Sequence, residues 1–235
     1  MSKAASPAVA LCACATWTSV PAVLPAQDFL DRGTFIIAQA GVEIGREEFA
    51  IRSTAAREGQ AGILAVSTTR LSDRELRVAM ELTADHTPVS FQETATQNGR
   101  VVSQFSGQLA GHRFSLRQAS QGAESAREFP VRPPVVVLGT EAVSPFYFVP
   151  RAQSGQPRSL VVVRPGDTRA VQATIEAQGP DSVTLADRPV ACLRFRLSTA
   201  DGDVRLFWFT SSGDLLRVAV PARELVATRS EPPRR

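Results

Sequence analysis

The chain has 235 residues, with 26 Lys+Arg against 23 Asp+Glu, a formal net charge of +3 and only three cysteines. Its arginines are spread along the chain and nearly balanced by carboxylates, so there is no basic stripe and no case for nucleic-acid binding. The length suits one large β-domain or two small ones.

The N-terminus has the layout of a secretory signal peptide. Lys3 supplies the positive flank, Ala8 to Leu24 is largely apolar and uncharged, and Leu24-Pro25-Ala26 offers a small residue for cleavage before Gln27. Trp17-Thr18-Ser19 and Pro21 interrupt a run already short for a membrane span. Residues 1–26 are therefore expected to be removed on export to a bacterial periplasm, leaving a protein not integral to the membrane. Leu11-Cys12-Ala13-Cys14 resembles a lipoprotein attachment site, but too little chain precedes Cys14 for a normal signal, so anchoring there is disfavoured. That leaves Cys192 as the single cysteine of the mature chain, alternating with arginines and read as a buried small hydrophobe.

Beyond the signal the apolar periodicity is two, the signature of strands with one wet and one dry face. Strands are predicted at 34–39, 46–53, 61–70, 74–84, 87–97, 100–109, 112–119 and 124–131. After a break they resume at 159–164, 168–178, 181–186, 189–199, 203–210 and 214–221. Asn98-Gly99 is the strongest hairpin signal, and Gly41-Val42-Glu43-Ile44-Gly45 suits a bend or bulge. The break, residues 132–158, carries Pro133, Pro134, Pro145, Pro150 and Pro157, which central strands exclude. Between those prolines lie Val135-Val136-Val137-Leu138 and Phe146-Tyr147-Phe148-Val149, so this crossover must bury itself. The expected fold is all-β: a long antiparallel meander curled into a half-barrel or β-spiral, with the crossover, and room for a short helix, packed on the concave face. One domain spans 27–229, and the tail 230–235 reads as disordered.

Catalytic signals are sparse. His86 and His112 are isolated turn residues, and no metal-ligand spacing, nucleophile elbow or phosphate loop occurs. The pairs Glu47-Glu48 and Asp201 with Asp203 are expected to be solvated. No cofactor and no metal are implied. In Phe207-Trp208-Phe209, Trp208 must point away from its two neighbours, so the closing hairpin is expected to be covered on both sides.

Three stretches carry a family resemblance: Gly41-Val42-Glu43-Ile44-Gly45-Arg46-Glu47 between two strands, the proline-broken crossover, and Phe207-Trp208-Phe209 through Ser212-Gly213-Asp214-Leu215-Leu216-Arg217-Val218. Together they make the chain similar to exported bacterial β-proteins of a domain-of-unknown-function family, broadly like the half-barrel lipoprotein carriers of the outer membrane. The resemblance implies a periplasmic β-spiral with a role in envelope maintenance or in carrying something apolar. The expectation is a non-enzymatic envelope protein that binds a lipid or other amphipathic ligand. Leu138, Phe146, Tyr147, Phe148 and Trp208 would line the site, and Arg194 and Arg196 would meet an anionic headgroup. The alternative is a scaffolding protein with a filled interior and an envelope protein as partner, and a hydrolase ranks last.

Overall fold

The computed structural model describes residues 29–233 apart from 58–59, 121, 140, 150–155 and 168. The expected signal peptide, with Cys12 and Cys14, lies outside the described residues. Eight strands form a first meander: β1 (Phe29–Gln39), β2 (Val42–Arg57), β3 (Gln60–Leu71), β4 (Arg74–Thr83), β5 (Pro88–Gln97), β6 (Arg100–Ala110), β7 (Arg113–Ser120) and β8 (Ala123–Pro130). The short β9 (Val135–Val137) lies in the crossover. A second meander follows: β10 (Arg158–Val163), β11 (Val171–Leu185), β12 (Arg188–Thr199), β13 (Val204–Phe209), β14 (Leu215–Val220) and β15 (Leu225–Arg229).

All fifteen strands belong to one sheet, in the order β8 to β1, then β15 to β9. The pairing of β1 with β15 therefore joins the two meanders at the middle of the sheet. Every neighbouring pair is antiparallel except β9 with β10. That exception follows from the crossover, because a parallel pair needs a long return between its strands. The sheet curls, so that inward residues from β1 to β15 and the crossover merge into one core that includes Phe35, Phe49, Phe91, Phe114 and Phe195.

The strand expectations map closely onto this sheet. Asn98 and Gly99 have φ of 50° and 75°, the paired left-handed conformation that a tight hairpin demands. Gly45 faces Ile37 across a bulge, and a Cβ at that position would run into the backbone carbonyl of Arg70. Three expectations need correcting. The strands predicted at 168–178 and 181–186 are one long strand, β11, because a bulge at Gly179 bends the ladder without ending it. β9 adds a strand inside the expected connection, and β15 adds one beyond the expected last hairpin.

Hairpin turns alternate between two rims of the curled sheet. The crossover leaves β8 at the second rim, where Pro133 and Pro134 adjoin Asp85, His86 and Arg158. It climbs along β10 as β9 and turns at the first rim, where Glu141 pairs with Arg74 at 3.3 Å. A 3₁₀ turn, Ser144–Phe148, then carries it back through the interior to His86, whose ring meets that of Phe148 edge-on at 5.6 Å. The sheet is filled by its own connection.

A second, smaller apolar cluster lies on the outer face. Beyond Gly179 the β11–β12 hairpin curls over β13 and β14, and its Val183, Leu185 and Cys192 cover Trp208, Leu216 and Ala219. Phe207 and Phe209 belong to the main core instead, so the closing hairpin is covered on both faces.

Candidate functional site

The best-defined polar constellation is the seat that holds the crossover. Glu47 on β2 and Phe49 two residues on share the inward face, and Glu47 is fully buried. Its carboxylate accepts the backbone N–H of Val143 at 2.5 Å, that of Ser144 at 2.6 Å and the Thr69 hydroxyl at 2.8 Å. The 3₁₀ turn that starts there has no side-chain cap of its own, and Glu47 takes that place from the sheet. The Ser144 hydroxyl bonds that of Ser67 at 2.9 Å. Glu93, also buried, closes the seat on the β5 side, where a Cβ on Gly139 would lie 2.7 Å from its carboxylate. Burial pushes the Glu47 carboxyl above its ordinary value, and the two amides and Thr69 pull it partly back.

Below the seat the crossover is apolar. Phe146 packs on Phe207 with centroids 5.6 Å apart, and the guanidinium of the buried Arg205 lies 5.1 Å from the same ring. Arg205 in turn bonds Asp203 at 2.8 Å. Asp203 shares Arg164 with Asp167 and Asp201, so an ionic network closes the first rim beside the crossover. The Thr199 hydroxyl and Arg164 hold Asp201 down to about 2. The stability from Asp201 is thus present above its ordinary value and lost as pH falls through about 2.

The expected lining residues do not form one site. Leu138, Phe146 and Phe148 are at most 5% exposed and belong to the core itself, while Tyr147 is partly buried against it. The crossover occupies the space in which an apolar ligand was expected. Arg194, Arg196 and Trp208 sit on the outer face, separated from the crossover by the thickness of the sheet. There Asp181 accepts the Trp208 indole N–H at 2.9 Å and lies 3.5 Å from Arg194, while Arg217 covers the Trp208 ring. These contacts pin the curled hairpin down.

Glu47 departs from the solvated reading, whereas Asp201 is exposed and Asp203 half-buried. Glu48 is exposed, but Glu47 is buried, because neighbours on a strand face opposite sides. Asp201 and Asp203 are tied to Arg164. Strand alternation carried the signal for Glu47, since Phe49 and Ile51 already mark its face as inward.

His86 borders a cleft of about 470 Å³ at the second rim with Asp85, Thr87, Phe148 and Arg158. Asp85 is taken up by the hydroxyls of Thr83 and Thr87. His112 stands at a different turn, where its carbonyl accepts the N–H of Val131. Among the described residues, no three His, Cys, Asp or Glu side chains come together in a metal-binding group. No helix among them is long and apolar enough to cross a membrane.

No family model and no curated protein matches the chain. Among solved structures it is similar to a β-barrel-like protein of domain of unknown function DUF1849 from Brucella abortus. The identity is 9% and the TM-score 0.49, over 88% of this chain and 98% of that one.

Proposed function

We propose that the protein is a non-enzymatic, exported envelope protein that works by contact, with its interior closed by its own crossover. The single observation behind this reading is the seat: Glu47 fastens the crossover by two backbone amides, and Phe146 and Phe148 then fill the concave face. A lipid or other amphipathic ligand would have to displace that segment, leaving the carboxylate and the amides buried without partners, at about 1–3 kcal/mol for each unsatisfied group. Contact through strand edges and the outer face requires no such displacement. The layout of residues 1–26 supports export, and the sparse catalytic inventory supports a non-enzymatic role.

Native mass spectrometry of the protein, purified from cells and then exposed to phospholipid micelles, tests this reading. The expected spectrum shows the mass of the chain alone. Stoichiometric lipid that survives desolvation would overturn the reading in favour of a carrier.

A further inference from the structure

Of the two ends of the sheet, β9 is buried along its whole length, whereas β8 is exposed over Ala123, Glu124, Ser125 and Ala126. No strand of the described chain pairs with β8 on its far side. An edge of this kind is ordinarily blunted by charged side chains, lysine above all, or by proline or a bulge. That stretch carries one charge, Glu124, and no lysine, proline or bulge, and it runs in unbroken register with β7.

Beside this edge, on the outer face, lies a groove of about 480 Å³ whose walls include Gln104, Ser106, Arg117, Glu124 and Ala126. Its two charges are arranged in order. Ala126 faces Arg117 across the ladder, and Glu124 faces Ala119. Glu128 is spent on Arg113 and Arg127 on the carbonyl of Asp167, but Arg117 and Glu124 are exposed and make no ion pair with a described residue.

We propose that the β8 edge takes up an extended peptide segment of a partner protein, added as an antiparallel strand and carrying an acidic residue two positions before a basic one. An antiparallel strand meets Ala126 first and Glu124 second. Side chains directly opposite each other share a face. The acidic side chain therefore crosses the small Ala126 to reach Arg117, and the basic one meets Glu124. Main-chain hydrogen bonds supply affinity, and the two charges supply direction and register. A second β8 does not carry this order, because Glu124 is followed two residues on by Ala126 and Arg127 is preceded at that spacing by Ser125. The inference rests on the reading of the protein as one that works by contact.

Fluorescence anisotropy with two labelled peptides tests it. The peptide Thr-Val-Glu-Thr-Lys-Val-Thr should bind about tenfold more tightly than its reversed-charge counterpart Thr-Val-Lys-Thr-Glu-Val-Thr, a gap of about 1.4 kcal/mol. The double variant Arg117→Glu with Glu124→Arg changes only exposed side chains and should invert that preference. Equal affinities, a preference that fails to invert, or no saturable binding of either peptide would overturn the proposal. Dimerisation that Ser125→Pro abolishes would also overturn it, in favour of a second copy on this edge. Native spectra of the same samples keep the two readings apart. Retained lipid defeats the contact reading, whereas a lipid-free chain that ignores both peptides defeats only the edge.

Discussion

Glu47 shows how one side chain can decide whether a connection is a plug or a loop. Both its oxygens are used as acceptors, and every described partner is a donor. An amide at this position would turn an N–H₂ toward an N–H. Glu47→Gln should therefore loosen the 3₁₀ turn, and Glu47→Ala should destabilise the protein by about 3–5 kcal/mol, the range for breaking a buried charged contact. The pH dependence has a definite sign. Because burial raises the native carboxyl, the unfolded chain gives up its proton first as pH increases. The stabilisation linked to Glu47 is complete below the ordinary glutamate value and is lost as pH rises through the raised one. Urea midpoints should fall as pH rises through the raised value for the wild type, and show no such fall for Glu47→Gln, which has no carboxyl to titrate there. Parallel curves would show that Glu47 is ionised throughout.

At the scale of elements, the hairpin from β13 to β14 separates two apolar clusters with one strand. Phe207 and Phe209 serve the interior, while Trp208 holds the curled β11–β12 hairpin from outside. Cys192 is on the covered side of that hairpin, and burial pushes its thiol up, so a thiol reagent should reach it slowly. Trp208→Ala removes the ring and its bond to Asp181, and should raise the labelling rate mapped to Cys192 by at least about tenfold, with an overall cost of about 3–5 kcal/mol. An unchanged rate would mean the hairpin is held by its own ladder alone.

Alternation made this hairpin readable in the sequence, as it did β4, β5 and β12, whose two faces meet different surroundings. It failed for β9, where Val135, Val136 and Val137 are all buried and no period exists to detect. It failed again for β15, whose five residues after a 3₁₀ turn include Thr228 and the buried Arg229. The value of Arg229 comes from Asp31, 198 positions away, which it clasps with two bonds of 2.7 and 2.8 Å. No local pattern announces a contact of that span. The seat was partly legible for the opposite reason, since Glu47 shares the parity of Phe49 and Ile51. What pattern could not supply was the crossover's turn arriving at that carboxylate.

At the scale of the molecule, the two sheet ends approach but do not pair. They are bridged where Arg127 of β8 donates to the Asp167 carbonyl beyond β10, at 2.9 Å. A seam bridged by a side chain opens more easily than a ladder. Arg127→Ala should speed amide exchange in β8 and in Val131 well before β3 or β4, as read by hydrogen–deuterium exchange mass spectrometry. Uniform acceleration across the sheet would show instead that Arg127 supports the fold globally.

The central joint between β1 and β15 has a consequence for when the sheet can form. The strand that unites the two meanders is the last of the fifteen to leave the ribosome, and its partner is the first. Until Leu225–Arg229 is available, β1 to β8 and β9 to β14 can each form a sheet but the two cannot join, and Asp31 lacks its partner Arg229. Topology alone defers the joining of the two meanders until β15 has been made. A chain built this way keeps its two meanders apart until β15 is made, and then joins them at the middle of the sheet.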